Sequence, residues 1–166
     1  MGNTKKPRKK YRPKPVLQNP VGYVLEGMSP VEQAATSEIT LIKIKNHEAM
    51  TSLLQGTAKQ YEMGVLTTMS NITEALWELG FGREYQNVCT EGRFAIYSIV
   101  LRSQKHGRFT PTGPEIQQLN MLLELHDAQL SVISVKDLEE ACLLVRKKMA
   151  TDKATVKLPP VPDHLR

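Results

Sequence analysis

Residues 58–79 read AKQYEMGVLTTMSNITEALWEL, and their spacing decides the fold class. Tyr61, Val65, Met69, Ile72, Leu76 and Leu79 recur at steps of three and four. That is the period of one face of an α-helix, whereas a half-buried strand alternates at two. Thr57 stands ahead of the stretch as a cap, and Gly80 and Gly82 end it. Gly64, inside the pattern, marks a candidate kink.

Downstream, residues 84–105 repeat the theme with Tyr85, Val88, Cys89, Phe94, Ile96, Ile99 and Val100, interrupted by Gly92. Gly64 and Gly92 are candidates for close helix crossings. Gly107, Pro111, Gly113 and Pro114 make the sharpest break in the chain. Thr112-Gly113-Pro114-Glu115 then opens another helix, with Thr as cap and Glu three residues on. Ile116, Leu119, Leu122, Leu123, Leu125 and Leu130 follow. Ser134-Val135-Lys136-Asp137 starts the last helix, which carries Leu138, Ala141, Cys142, Val145 and Met149 on one stripe. Arg146, Lys147 and Lys148 sit near its end, where the helix dipole favours cations.

Upstream, residues 38–55 place Ile39, Ile42, Met50, Leu53 and Leu54 among polar residues, and Gly56 ends the run. The string ITLIKIK at 39–45 alternates as a strand does. The apolar positions continue past Asn46 at helical spacing, so helix is the expectation. Helices of this kind bury their stripes against one another. The predicted class is all-α, a bundle of four to five amphipathic helices with a disordered or extended basic N-terminal arm. The expected organisation is an arm and linker over residues 1–22, the bundle over 23–151, and a loose Pro-containing tail over 152–166. Within it, YVLEGM at 23–28 reads as a turn or a strap, and Ser29-Pro30-Val31-Glu32 as a helix start.

Charge divides the chain the same way. Residues 1–15, MGNTKKPRKKYRPKP, hold seven Lys and Arg and no acid, while the whole chain of 166 residues has a formal charge of +5. The remainder carries 15 bases against 17 acids, so the basic character belongs to the arm. Pro7, Pro13, Pro15 and Pro20 favour extended, polyproline-like backbone there. Lys5, Lys6, Arg8, Lys9, Lys10, Arg12 and Lys14 are each able to approach a phosphate, and Tyr11 is available to stack on a base. These eight residues are the candidate nucleic-acid-binding site. An acidic protein surface is the other partner such an arm fits.

Other function classes find less support. Cys89 and Cys142 belong to no CxxC pair and read as free thiols. The basic start runs into prolines instead of an apolar segment, and no apolar run approaches the ~20 residues of a membrane span. A cytoplasmic protein without membrane contact is expected. Asn71-Ile72-Thr73 fits a glycosylation sequon inside a helical pattern and reads as chance. His47-Glu48 and Glu124-Leu125-His126-Asp127 are the His and acid clusters, and neighbours one or two apart on a helix point away from each other. Glu74 with Glu78, and Glu124 with Asp127, share faces and read as solvated surface. No phosphate loop, metal motif or nucleophile constellation is present, so no catalytic residue, metal or cofactor is expected. An enzyme would need His47, His126 or Glu48 to converge in a pocket. Gly80-Phe81-Gly82-Arg83 reads as a helix C-cap. Residues 115–149 have helix-turn-helix spacing, but Asp137, Glu139 and Glu140 at the front of the last helix oppose phosphate. An ordinary helical hairpin is expected.

The opening RKKYRPKPV at residues 8–16, with Ile44-Lys45-Asn46-His47 and Gly80-Phe81-Gly82-Arg83-Glu84, resembles small uncharacterised proteins of proteobacterial phages and prophages. The resemblance implies a phage or mobile-element context and a bacterial cytoplasm, and carries no activity with it. The expectation is a non-enzymatic accessory protein, a helical binding module whose arm contacts nucleic acid or an acidic surface. Its body would meet a host protein or self-associate through a helix face. The alternative is a protein-directed inhibitor of a host defence complex that acts through the helical body.

Overall fold

A computed structural model describes residue 28 and residues 36–151 of the chain. These form five α-helices: α1 (Thr36–Leu54), α2 (Gln60–Glu78), α3 (Gln86–His106), α4 (Gly113–Val132) and α5 (Val135–Ala150). A 3-10 turn, Arg83–Tyr85, precedes α3. No β-strand occurs among the described residues, and 39–45 lie inside α1. The arm, the helix start at Ser29, the tail, and all of the 23–28 patch but an exposed Met28 lie outside the described residues.

Local chemistry sets the helix ends. At the start of α5, Ser134 and Asp137 form a reciprocal box: Ser134 Oγ accepts from the Asp137 N–H, and Asp137 Oδ2 accepts from the Ser134 N–H. Glu115 likewise accepts from the Thr112 N–H at the head of α4. Such caps satisfy donors that the helix leaves open and contribute about 1 kcal/mol each. At α2 the cap is Lys59, whose N–H is held by Glu62, and not the predicted Thr57, whose hydroxyl turns back to the Ser52 carbonyl. The end of α2 is a Schellman turn. Phe81 N–H bonds Leu76 O, Gly80 N–H bonds Trp77 O, and Gly80 sits at φ +109°, a conformation that costs a side-chain-bearing residue dearly.

α2 is the hub, packed against each of the other four helices. One core cluster holds Leu53, Leu66, Met69, Ile99, Leu119 and Leu122, all nearly inaccessible to water. A second holds Ile39, Ala75, Leu76, Leu130, Ile133 and Ala141, beneath α5. Each such Leu or Ile contributes about 1.5–3 kcal/mol by leaving water. The buried positions of α2 are Met63, Leu66, Met69, Ser70, Thr73, Ala75 and Leu76, a face rotated from the predicted stripe, while Tyr61 is exposed. Gly92 is a close crossing: a Cβ there would meet Leu122 Cδ2 at 2.7 Å. Gly64 has open space around it and no such role. α5 does not fold back on α4 as a hairpin. Ile133 breaks α4 with extended backbone (ψ 156°) and is itself buried, so the connector is pinned in the core and α5 is turned onto α2.

Candidate functional site

The eight predicted site residues, Lys5, Lys6, Arg8, Lys9, Lys10, Tyr11, Arg12 and Lys14, lie outside the described residues. The structure therefore describes the platform that carries them. Residues 36–151 hold twelve Lys and Arg against thirteen Asp and Glu. Several of these charges tie helices together. Arg102 of α3 grips Glu115 of α4 with both guanidinium nitrogens, at 3.0 and 2.5 Å, and also donates to the Thr110 carbonyl at 2.6 Å. Burial pushes the Glu115 carboxyl up, but Arg102 and the Thr112 N–H more than offset this and leave it below the usual range. Arg93 of α3 pairs with Glu74 of α2, and Lys148 of α5 with Glu78 of α2. Glu74 and Glu78 were expected as solvated surface, yet each makes a cross-helix ion pair. In the turn after α2, Trp77 Nε1 donates to Arg83 O, and the Arg83 guanidinium lies against Gly80.

The two His and acid clusters meet across helices. His47 Nε2 of α1 lies 2.8 Å from Asp127 Oδ2 of α4 at the surface. The adjacent His126 points the other way and is 1 % exposed. Its Nδ1 is 3.0 Å from Thr73 Oγ1 of α2. Thr73 Oγ1 donates its single proton to the Met69 carbonyl, so the imidazole donates from Nδ1. Burial, helped by Lys43, lowers the His126 pKa to about 4, with Asp127 acting in the opposite sense. His126 is thus a neutral ring at pH 7. Gln129, one turn on, donates Nε2 to the carbonyls of Thr73 (3.2 Å) and Phe81 (3.0 Å), stitching α4 to α2 and to the turn after it. Asn46 Nδ2 and Ser70 Oγ, also on inward faces of α1 and α2, have no partner among the described residues.

A groove of about 810 Å³ runs along α1 to the start of α2, and Lys43, His47, Glu48, Thr51, Tyr61 and Glu62 are among the residues that line it. His47 and Glu48 share this groove, but His126 does not reach it. A smaller cleft of about 130 Å³ between α2 and α3 holds Cys89 beside the Arg93–Glu74 pair. Burial pushes the Cys89 thiol up to about 11, which keeps it protonated and unreactive. Among the described residues no cluster of three or more His, Cys, Asp or Glu is placed to hold a metal, and no helix is long and apolar enough to cross a membrane. Sequence reasoning missed the His47–Asp127, His126–Thr73 and Gln129 contacts, since partners 48 to 80 residues apart leave no local signal. No protein-family model, curated protein or solved structure matches this chain.

Proposed function

We propose that this protein is a non-enzymatic binding module, an accessory protein of a phage or mobile element working in a bacterial cytoplasm. Its basic arm neutralises phosphates through Lys5, Lys6, Arg8, Lys9, Lys10, Arg12 and Lys14, and Tyr11 stacks on a base. The observation that carries this reading is the partition of charge: seven bases and no acid in residues 1–15, against twelve bases and thirteen acids in 36–151. Arg93, Arg102 and Lys148 of the body are already engaged by carboxylates of neighbouring helices, which leaves the arm as the concentrated source of positive charge. Binding of this type is indifferent to base sequence and steep in salt.

The test is nucleic-acid affinity of the full chain and of a chain lacking residues 1–15 across a salt series. With most of seven bases engaged on duplex DNA, the log–log slope should approach about −6. Removal of the arm should abolish binding. If the full chain fails to bind at low salt, the polyanion reading is wrong.

A second reading, inhibition of a host defence complex through the body, draws on the apolar side chains that α1 and α2 leave in water. Leu41 (54 %), Ile44 (45 %) and Tyr61 (66 %) are exposed, with Ile44 and Tyr61 lining the groove. In that case arm removal would leave function intact, and Leu41→Asp with Ile44→Asp would remove it.

A further inference from the structure

α5 lies at the edge of the bundle. It buries Ala141 and half-buries Leu138, Leu144 and Val145 toward α2, its chief neighbour. The opposite face is exposed and consists of Lys136, Glu139, Glu140, Leu143, Arg146, Lys147 and Ala150. These positions fall at steps of three and four and so form one stripe along a helix about 24 Å long. Leu143, 62 % exposed, stands at its centre. Glu139 and Glu140 lie on one side of it and Arg146 and Lys147 on the other. Lys136 sits one turn beyond the acids, as the uncharged Ala150 does beyond the bases. None of these charged side chains makes an ion pair among the described residues.

The helix dipole accounts for only part of this arrangement. Its influence is confined to the first and last turns. Glu139 and Glu140 are the fifth and sixth residues of α5, beyond the first turn, where Asp137 already serves the cap. Nor does the dipole call for an exposed leucine midway between the two pairs.

We propose that this face is a self-complementary interface for a second copy of the chain. Two α5 helices pair antiparallel about a two-fold axis that passes beside Leu143. Leu143 then meets Leu143 of the other copy, Glu139 faces Arg146 along one flank, and Glu140 faces Lys147 along the other, each pairing made twice by symmetry. Lys136 lies opposite the uncharged Ala150. A parallel pairing would set acid against acid and base against base, so the charges fix the orientation as well as the register. One leucine per copy is a small apolar core, so the association is weak and depends on concentration and salt. This inference goes beyond the proposed function and stands independently of what the arm binds. If both hold, a dimer presents two arms on one particle, and the second contact gains from the effective concentration set by the first.

The experiment is sedimentation of the full chain over a concentration series without nucleic acid. Two charge-reversed variants are compared, Glu139→Lys/Glu140→Lys and Arg146→Glu/Lys147→Glu. The native chain should show a monomer–dimer equilibrium that weakens with salt. Each variant alone places like charges across the axis, and its dimer dissociation constant should rise at least about tenfold. An equimolar mixture of the two should associate again, because the cationic face of one matches the anionic face of the other. Leu143→Asp should be monomeric, with circular dichroism reporting an unchanged helix content in all variants. A native chain that stays monomeric throughout, or a dimer that survives both reversals, or a mixture that fails to reassociate would overturn the proposal. Arm binding is measured separately on the same variants, so failure of one idea leaves the other readable.

Discussion

Thr73 and His126 share one hydroxyl, and the direction of its proton fixes the imidazole. Because Thr73 Oγ1 donates to the Met69 carbonyl, His126 Nδ1 carries hydrogen and donates in turn across 3.0 Å from α4 to α2. A buried ring held in this way is a structural member of the core with a defined tautomer.

The pH dependence of stability follows from that burial. The His126 pKa falls from 6.5 to about 4 on folding. As pH drops below 6.5 the unfolded chain takes up a proton that the folded chain refuses, so stability declines until the folded ring titrates near 4. A shift of this size corresponds to about 3 kcal/mol, at up to about 1.4 kcal/mol per pH unit. Denaturant unfolding between pH 7 and 5 should show this slope, and His126→Asn should flatten it. An NMR titration placing His126 above pH 6 would contradict the account.

Thr73→Val keeps the shape and removes the hydroxyl. It strands the His126 Nδ1–H in the core and should cost about 1–3 kcal/mol. Thr67→Val, at an exposed position of the same helix whose hydroxyl likewise bonds the carbonyl four residues back, should change stability by about 0.5 kcal/mol or less. Equal losses at both sites would mean that the bond to His126 contributes nothing.

Two glycines in helices should respond oppositely to alanine. Gly92→Ala pushes a Cβ to within 2.7–3.1 Å of three Leu122 atoms, one of them Leu122 Cβ, so the helices must separate. The overpacking cost of about 1–3 kcal/mol exceeds the helix-propensity gain of just under about 1 kcal/mol. Leu122→Ala, damaging by itself, should be less damaging in the Gly92→Ala background, giving a measurable coupling in a double-mutant cycle. Gly64→Ala meets nothing within 4 Å and should raise stability by about 0.5–1 kcal/mol.

Arg102→Met removes both bonds to Glu115 and the bond to Thr110 O. With Arg102 itself partly exposed, a loss of about 2 kcal/mol is expected, below the range for a fully buried pair. The native pair contributes stability that is present above the ordinary carboxylate range and lost as pH falls through the depressed pKa of Glu115. Without Arg102, only the Thr112 hydrogen bonds are left to offset burial of that carboxyl, so acid unfolding should begin at higher pH. Amides near Thr110 should exchange faster in the variant, and unchanged exchange there would show that the loop has another anchor.

Residue types that act on their nearest neighbours were legible in the sequence. Ser134 with Asp137, Thr112 with Glu115, and the glycines after α2 placed helix ends correctly because caps work within a few residues. Helical periodicity also resolved 39–45 in favour of helix. The buried face of α2 was harder to read. Ser70 and Thr73 turn inward and Tyr61 turns outward, so hydrophobicity alone rotates the stripe. The route of α5 depended on Ile133 being buried, and the roles of Glu74 and Glu78 on Arg93 and Lys148, all of them tertiary facts. The arm's charge was plain in the sequence and, lying outside the described residues, rests on sequence alone.

From Met69 to Trp77, α2 has no exposed residue. Five of its nine residues are buried and Asn71, Ile72, Glu74 and Trp77 are half-buried, so most changes within it disturb an existing contact. New binding surface is therefore easier to gain on the outer helices, at the start of α2 and in the arm than along this stretch. Descendants of this chain should keep residues 69–77 nearly fixed while α1 and α5 vary with whatever they meet.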